Sequence, residues 1–150
     1  MAEMPPTARD HAATIAAAKA ALQDDARPVA MAKRARDGKL SARARIAALL
    51  DPDSFLEVGG LAGPHRDNPW NADIEAPSDG NVTGMGRIDG RPISVVAHDF
   101  TVLGGSVGVA GSLKNNKAIE RATEAGAPLV MLVEGGGHRI QDGQNSRHFA

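Results

Sequence analysis

The sequence predicts an α/β fold in which two paired strands are followed by a helix and a further parallel strand, and three observations carry that expectation. Asp89-Gly90 separates two runs of strand type, residues 82–88 and 91–97, and this dipeptide favours the tight turn whose twist suits paired strands. Leu113, Ala118, Ile119, Ala122 and Ala125 then recur at helical spacing, with Gly126 and Pro128 as stop signals. The apolar run at residues 129–133 returns as a buried strand. A strand, a helix and a strand in that order imply a right-handed crossover with parallel pairing. The loops that leave the strand C-termini then fall on one edge of the sheet.

Taken in order, residues 1–51 form an alanine-rich helical segment. Ser41, followed by Ile46, Leu49 and Leu50 ahead of Asp51-Pro52, predicts a capped amphipathic helix. Arg27, Lys33, Arg34, Arg36, Lys39, Arg43 and Arg45 make the segment locally basic; a phosphate-binding surface and a solvated helix face are both open readings. Residues 52–80 mix prolines, glycines and Trp70 without a sustained period, so an irregular connecting region is expected. Residues 81–150 carry the hairpin, the helix and the returning strand. In that helix Ser112 is the expected N-cap.

The composition narrows the function. Within 150 residues, 42% hydrophobic and 23% charged residues describe a soluble domain able to bury a core. Seventeen basic against 18 acidic residues, a net charge of -1, argue against an electrostatic nucleic-acid binder. The absence of cysteine excludes disulfides, thiolate zinc sites and cysteine nucleophiles. It fits a cytoplasmic setting. No basic flank leads into an apolar run near Met1 and no stretch reaches membrane-spanning length, so neither a secretory signal nor a membrane partner is expected.

The densest chemistry lies in two glycine-rich turns, Phe100-Thr-Val-Leu-Gly-Gly-Ser-Val-Gly108 and Val133-Glu-Gly-Gly-Gly-His-Arg-Ile-Gln-Asp-Gly143. Glycine leaves backbone amides bare at the mouth of the unit, and main-chain recognition of an anion is the expected chemistry. Asp99 and Glu134 each end a strand beside one of these turns. They read as an acid-base pair, or as turn carboxylates that cap or pair with Arg139 or Lys114. Arg139 itself binds a carboxylate or braces its loop. His98, His138 and His148 lack ligand spacing, so no metal is expected. Ser112 stands outside any Gly-x-Ser-x-Gly elbow, and although Ser106 has that spacing in Gly104-Gly-Ser-Val-Gly108, a serine hydrolase is not the expected reading. Without a phosphate-binding Gly-x-x-x-x-Gly-Lys-Ser/Thr loop, ATP chemistry is left to another polypeptide.

Residues 104–108 and 135–143 resemble the corresponding turns of the biotin-dependent acyl-CoA carboxylase carboxyltransferases, with the propionyl-CoA and acetyl-CoA carboxylase beta subunits nearest in pattern. Lys39-Leu-Ser-Ala-Arg43, Arg45-Ile46, Leu49-Leu-Asp-Pro52, Ser54-Phe55, Val82-Thr-Gly84, Ile88-Asp-Gly-Arg-Pro92 and Asp99-Phe-Thr-Val102 extend the likeness in order. The resemblance implies a crotonase-like spiral of strand-strand-helix units, incomplete in this chain and preceded by N-terminal helices. It implies transfer of a carboxyl group from carboxybiotin to the α carbon of a short-chain acyl-CoA. Biotin would arrive on a separate carrier, since no Ala-Met-Lys-Met sequence is present. A biotin carboxylase or carrier subunit and further copies of the chain, as a hexamer, are the implied partners.

By the same resemblance, Gly136 and Gly137 match the paired glycines whose amides stabilise the thioester enolate. His138, where the family usually has alanine, sets a bulkier ring beside them. Gly104, Gly105, Ser106 and Arg139 are the implied substrate-binding residues of the turns, and Lys114 and Lys117 are implied to meet CoA phosphates. Ala44 replaces a common glutamate, and Val109 and Ala110 also depart from the usual pattern. Relatives of several hundred residues carry two such domains, so this chain is expected to be a fragment. An acyl-CoA decarboxylase or hydratase of the same fold, and a non-catalytic supporting paralogue, are the alternatives.

Overall fold

The computed structural model describes residues 7–66 and 69–142. Helix α1 (Ala8–Ala20) opens on a reciprocal cap in which the Thr7 hydroxyl accepts from the Asp10 amide while the Asp10 carboxylate accepts from the Thr7 amide. None of its residues is buried. Helix α2 (Pro28–Arg36) starts on a proline, whose missing N–H costs nothing in the first turn. Helix α3 (Ala42–Leu49) begins where the sequence predicts, with Ser41 Oγ accepting from the Ala44 amide at 2.9 Å.

A four-stranded sheet follows, in the order β1-β2-β3-β4. Strands β2 (Asn81–Ile88) and β3 (Arg91–His98) form the expected hairpin, in register from Asn81 opposite His98 to Ile88 opposite Arg91. Asp89 and Gly90 both take left-handed φ values, 49° and 75°, as a two-residue hairpin turn of this twist requires. Their amides donate to the Asp51 carboxylate at 3.0 and 2.8 Å, which ties the turn to the end of α3. Strand β4 (Leu129–Leu132) pairs parallel with β3, as the crossover rule demands.

Strand β1 (Leu56–Glu57) lies within the region expected to be purely irregular, where it pairs antiparallel with β2. At two residues it is too short to leave an alternation in the sequence.

The connecting helix α4 (Val109–Glu124) begins at Gly108, not at Ser112. The expected hydroxyl cap is replaced from outside the helix: Asp142 accepts from the Val109 amide at 3.3 Å and Asp79 from the Gly111 amide at 2.7 Å. Remote carboxylates thus satisfy the first-turn donors and complement the positive helix end, one turn before the sequence suggests a start. The buried face also differs from the predicted stripe. Ala110, Lys114, Ala118 and Ala122 are buried at steps of four, together with Gly111, whereas Leu113 and Ile119 are each 46% exposed. Small residues let the helix lie close to the sheet, and Ser94 Oγ donates across that gap to the Ala118 carbonyl at 3.1 Å.

On the opposite face Ala42, Ile46 and Leu50 pack against Val82, Ile93, Val95 and Ala97. The helical N-terminal segment therefore supplies part of the core. Covered on both faces, β3 is buried from Ile93 to His98, which accounts for its continuous apolar run. No helix of the described residues is long and apolar enough to cross a membrane.

Candidate functional site

The strand order brings the two glycine turns together at the C-terminal ends of β3 and β4. A short helical turn, Leu103–Gly105, carries the first. The Gly136 amide donates to the Gly104 carbonyl at 3.3 Å, the Val107 amide to Gly137 at 2.9 Å, and the Arg139 amide to Val107 at 2.9 Å. A side chain at Gly105 would collide with the Glu134 carbonyl, and one at Gly135 with the Gly105 carbonyl. These glycines permit backbone-to-backbone contact, and several of the amides expected to face a ligand are used instead to join the turns.

What remains for a ligand lies at the outer part of the second turn. Nothing comes within 4 Å of where side chains at Gly136 and Gly137 would sit. The Gly137 amide makes no hydrogen bond among the described residues, whereas that of Gly136 is directed to Gly104 at a long 3.3 Å. The Gly137 amide is thus uncommitted among the described residues, while that of Gly136 is taken up by the contact with the first turn. His138 is exposed beside them, paired across a parallel bridge with Val107.

Arg139 braces its loop. It is 2% exposed, and its guanidinium donates to Asp79, to Asp142 at 3.4 Å, and to the Ser106 carbonyl at 3.1 Å. Asp142 also accepts from Asn71 Nδ2 at 2.8 Å. These donor contacts all go to groups of the protein itself, the arrangement that the loop-bracing alternative describes. Ser106 belongs to the same cage, its hydroxyl 3.5 Å from Arg139 Nε. Asp79, Asn71 and Asp142 were not legible as site residues, because their partners are up to 71 positions away.

Lys114 is likewise unavailable to phosphates at the surface. It is 7% exposed, and its ammonium donates to the Asn81 carbonyl and, at 2.9 Å, to that of Ser78. Burial pushes it down to about 8, against the opposing pull of Glu57 and Asp79. Lys117 is exposed and pairs with Glu120 at 2.6 Å. Both lysines, with Arg121, His65, Val58 and Leu113, line a cleft of about 290 Å³ between α4 and the chain after β1.

Asp99 and Glu134 are not paired as acid and base. Asp99 bonds Arg27 at 2.7 Å and the Thr101 amide at 3.0 Å. Burial alone would raise its pKa, but the Thr101 hydroxyl and the Arg27 guanidinium outweigh it and hold the carboxyl low. Glu134 takes both arms of Arg34, at 2.8 and 2.7 Å, with Arg45 at 3.5 Å and Lys39 at 3.6 Å. The Arg34 bonds chiefly hold Glu134 ionised. Neither carboxylate meets Arg139 or Lys114. The basic segment is correspondingly neither a solvated face nor an open phosphate surface at Arg27, Arg34, Arg43 and Arg45, since Arg43 is also committed, to Glu57 at 2.8 Å.

His98 is buried, which with the nearby Arg45 charge keeps it neutral to below its usual range. His138 is exposed, and His148 and Gly143 lie outside the described residues. Among the described residues no three metal-ligating side chains converge.

Residues 33–150 match the carboxyl transferase domain family. A biotin-dependent acetyl-/propionyl-coenzyme A carboxylase beta5 subunit of Mycobacterium tuberculosis is 48% identical over 107 residues, 71% of this chain and 19% of that protein. The methylmalonyl-CoA carboxyltransferase 12S subunit of Propionibacterium freudenreichii subsp. shermanii is 44% identical over 115 residues, 76% of this chain and 22% of that protein. The chain thus spans about a fifth of the length of these relatives. A transcarboxylase 12S crystal structure, a hexamer with methylmalonyl-coenzyme A and methylmalonic acid bound, superposes with a TM-score of 0.85 at 32% identity, covering 97% of this chain and 29% of that one. A Pseudomonas malonate decarboxylase in complex with malonate superposes with a TM-score of 0.62 at 33% identity, over 70% of this chain and 41% of that one. The β2-β3-α4 unit followed by β4 is one turn of the expected crotonase-like spiral and the start of the next, and the chain belongs to the carboxyl transferase domain family.

Proposed function

We propose that this chain forms part of the carboxyltransferase of a biotin-dependent acyl-CoA carboxylase and supplies the turn that holds the acyl thioester. The supporting observation is the open second turn at the C-terminal edge of a parallel strand pair, where the Gly137 amide makes no hydrogen bond among the described residues and a side chain at Gly137 would meet none of them within 4 Å beyond its chain neighbours. Carboxyl transfer replaces an α-carbon proton, which would pass to the biotin nitrogen that gives up the carboxyl group, and in between an electron pair rests on the thioester oxygen. A fixed amide can stabilise that oxygen in a water-poor cleft without a charged side chain, and each such donor supports about 10² to 10³ in turnover. The space at Gly136 and Gly137 suits a thioester oxygen, since beyond the chain neighbours no described residue enters it. Biotin, on its carrier, would supply the carboxyl group. The residues of this chain would orient the acyl group: Gly137 donates directly, Gly136 joins it on release from Gly104, and His138 walls the outer side.

Glu134, Asp99 and Arg139 take no proton-transfer role in this reading, because each is locked in ion pairs. Lys117, with Arg121, is the cationic group left to meet CoA phosphates at the α4 cleft; Lys114 shapes that cleft from beneath. Short-chain acyl-CoA is the substrate class we assign, and a carrier subunit and further copies of the chain the partners. A decarboxylase reading draws on the malonate decarboxylase likeness. The two are separated by one assay on the full-length protein that contains this segment. Carboxyl transfer from a carboxylated biotin carrier to propionyl-CoA is the expected outcome. Loss of CO₂ from a malonyl thioester, with no transfer to propionyl-CoA, would favour the decarboxylase; neither reaction, with no acyl-CoA binding by calorimetry, would leave the supporting paralogue.

A further inference from the structure

We propose that Arg34 is a positioning residue for the glycine-lined cleft, setting the spacing of the two turns through its paired contact with Glu134. The inference rests on the functional reading above only for its kinetic consequence; the contact itself is structural. Arg34 sits in α2, 100 positions from Glu134, and grips both carboxylate oxygens at 2.8 and 2.7 Å. Two-armed arginine-carboxylate pairing fixes direction as well as distance, which a single ammonium cannot do. The guanidinium is itself held: Nε and Nη2 donate to the Leu40 carbonyl, and its plane lies over the Phe100 ring at 5.7 Å.

The lever from this pair to the cleft is short. Glu134 is the second residue beyond β4, and its carbonyl rests against Gly105 so closely that no side chain fits there. Gly135 rests in the same way on the Gly105 carbonyl. A shift of the Glu134 side chain therefore moves the contact on which the first turn sits. The next residue, Gly136, carries the 3.3 Å bond to Gly104 that decides whether its amide faces the other turn or a ligand. Arg45 braces the same point, donating to the carbonyls of Leu132 and His98 at the ends of the two strands. Phe100, under the Arg34 guanidinium, belongs to the first turn. One arginine thus touches both turns from a helix that lies outside the sheet.

The test uses the full-length protein with Arg34→Met, Arg34→Lys, Glu134→Gln and the Arg34→Met/Glu134→Gln pair. Amide hydrogen exchange across residues 134–139 is read by mass spectrometry, and transfer kinetics are measured beside it. We expect Arg34→Met to speed exchange in this turn by about 10-fold while peptides from β2 and β3 stay within about two-fold, because local opening is separable from global unfolding. Turnover should fall by about 10-fold or more with KM for acyl-CoA nearly unchanged, since a displaced turn misplaces the reacting atoms without removing binding contacts. Arg34→Lys should lie between Arg34→Met and the parent, and the double variant should be no worse than either single one, the mark of residues acting as a unit. Unchanged exchange at the turn in Arg34→Met, or additive effects in the double variant, overturns the proposal. If Arg34→Met fails to fold, Arg34→Lys decides it by the same exchange reading. A parent protein without carboxyl transfer would sink the functional reading, while the exchange result still judges the latch.

Discussion

Two arginine-carboxylate clusters bracket the second glycine turn, and they differ in what surrounds them. At the entrance Arg34, Lys39 and Arg45 converge on Glu134, whose side chain is 18% exposed. At the exit Arg139 lies between Asp79 and Asp142, and none of the three side chains exceeds 1% exposure. The first cluster brings several cations to one carboxylate at the protein's edge, where water can replace a lost partner. The second brings two carboxylates to one cation in the interior, where nothing can. Arg34 is itself buried, but Glu134 and Arg45 are part-exposed and Lys39 is exposed; such a network can be adjusted without unfolding, whereas one buried throughout is part of the core. The entrance is therefore suited to tuning the turn, and the exit to holding the fold.

The sharpest way to break this contrast is to remove each arginine in turn. Arg139→Met leaves the buried carboxylates of Asp79 and Asp142 without the cation between them. A cost of about 3 to 5 kcal/mol is expected, read as a lower urea midpoint with loss of cooperative unfolding in the worst case. Arg34→Met, in the part-exposed cluster, should cost less, about 1.5 to 2 kcal/mol in the same experiment, because Lys39 and Arg45 remain beside Glu134. Equal costs would show that burial does not separate the clusters.

The contact between the turns gives the next largest effect. Gly105→Ala must push the Glu134 carbonyl away and strain a φ of 70°, so about 2 to 3 kcal/mol is expected. Gly104→Ala carries a similar φ of 63° but meets nothing within 4 Å. Strain alone, about 1 kcal/mol, should remain. Thermal unfolding of the two variants separates close approach from conformational strain.

Stability should also depend on pH through Lys114. Its folded pKa is about 8, below the ordinary lysine value of 10.5, so between these values the unfolded chain binds the extra proton. Stability therefore rises with pH across that window and levels off above it. Lys114→Met should abolish the rise, as urea titrations at pH 8 and 10 would report.

The smallest effect belongs to Lys117. Its pair with Glu120 is exposed at both ends, so Lys117→Ala should change stability by less than about 0.5 kcal/mol. It should weaken CoA more than pantetheine, with the difference shrinking as salt is raised. Calorimetry that finds the two ligands equally affected would remove the phosphate contact.

The sequence by itself determined the elements whose signals are local. Asp89-Gly90 specified the hairpin, Ser41 the start of α3, and the order of strand, helix and strand the parallel pairing that brings the glycine turns to one edge. Those signals operate within a few residues, through backbone preference, capping and handedness, and so survive without knowledge of the fold. Family membership was legible for the same reason, since the turns keep their residues in order. Only the tertiary structure decided which charges meet. Arg34 with Glu134 and Arg139 with Asp79 are separated by 100 and 60 positions, and nothing in either neighbourhood names its partner. Asp79 and Asp142 moved the start of α4 ahead of Ser112 by capping it from afar. Glycines that read as bare ligand-facing amides proved largely to be the surface on which one turn rests on the other. Close approach depends on what the folded chain sets opposite a residue, and that is written nowhere in the residue's own surroundings.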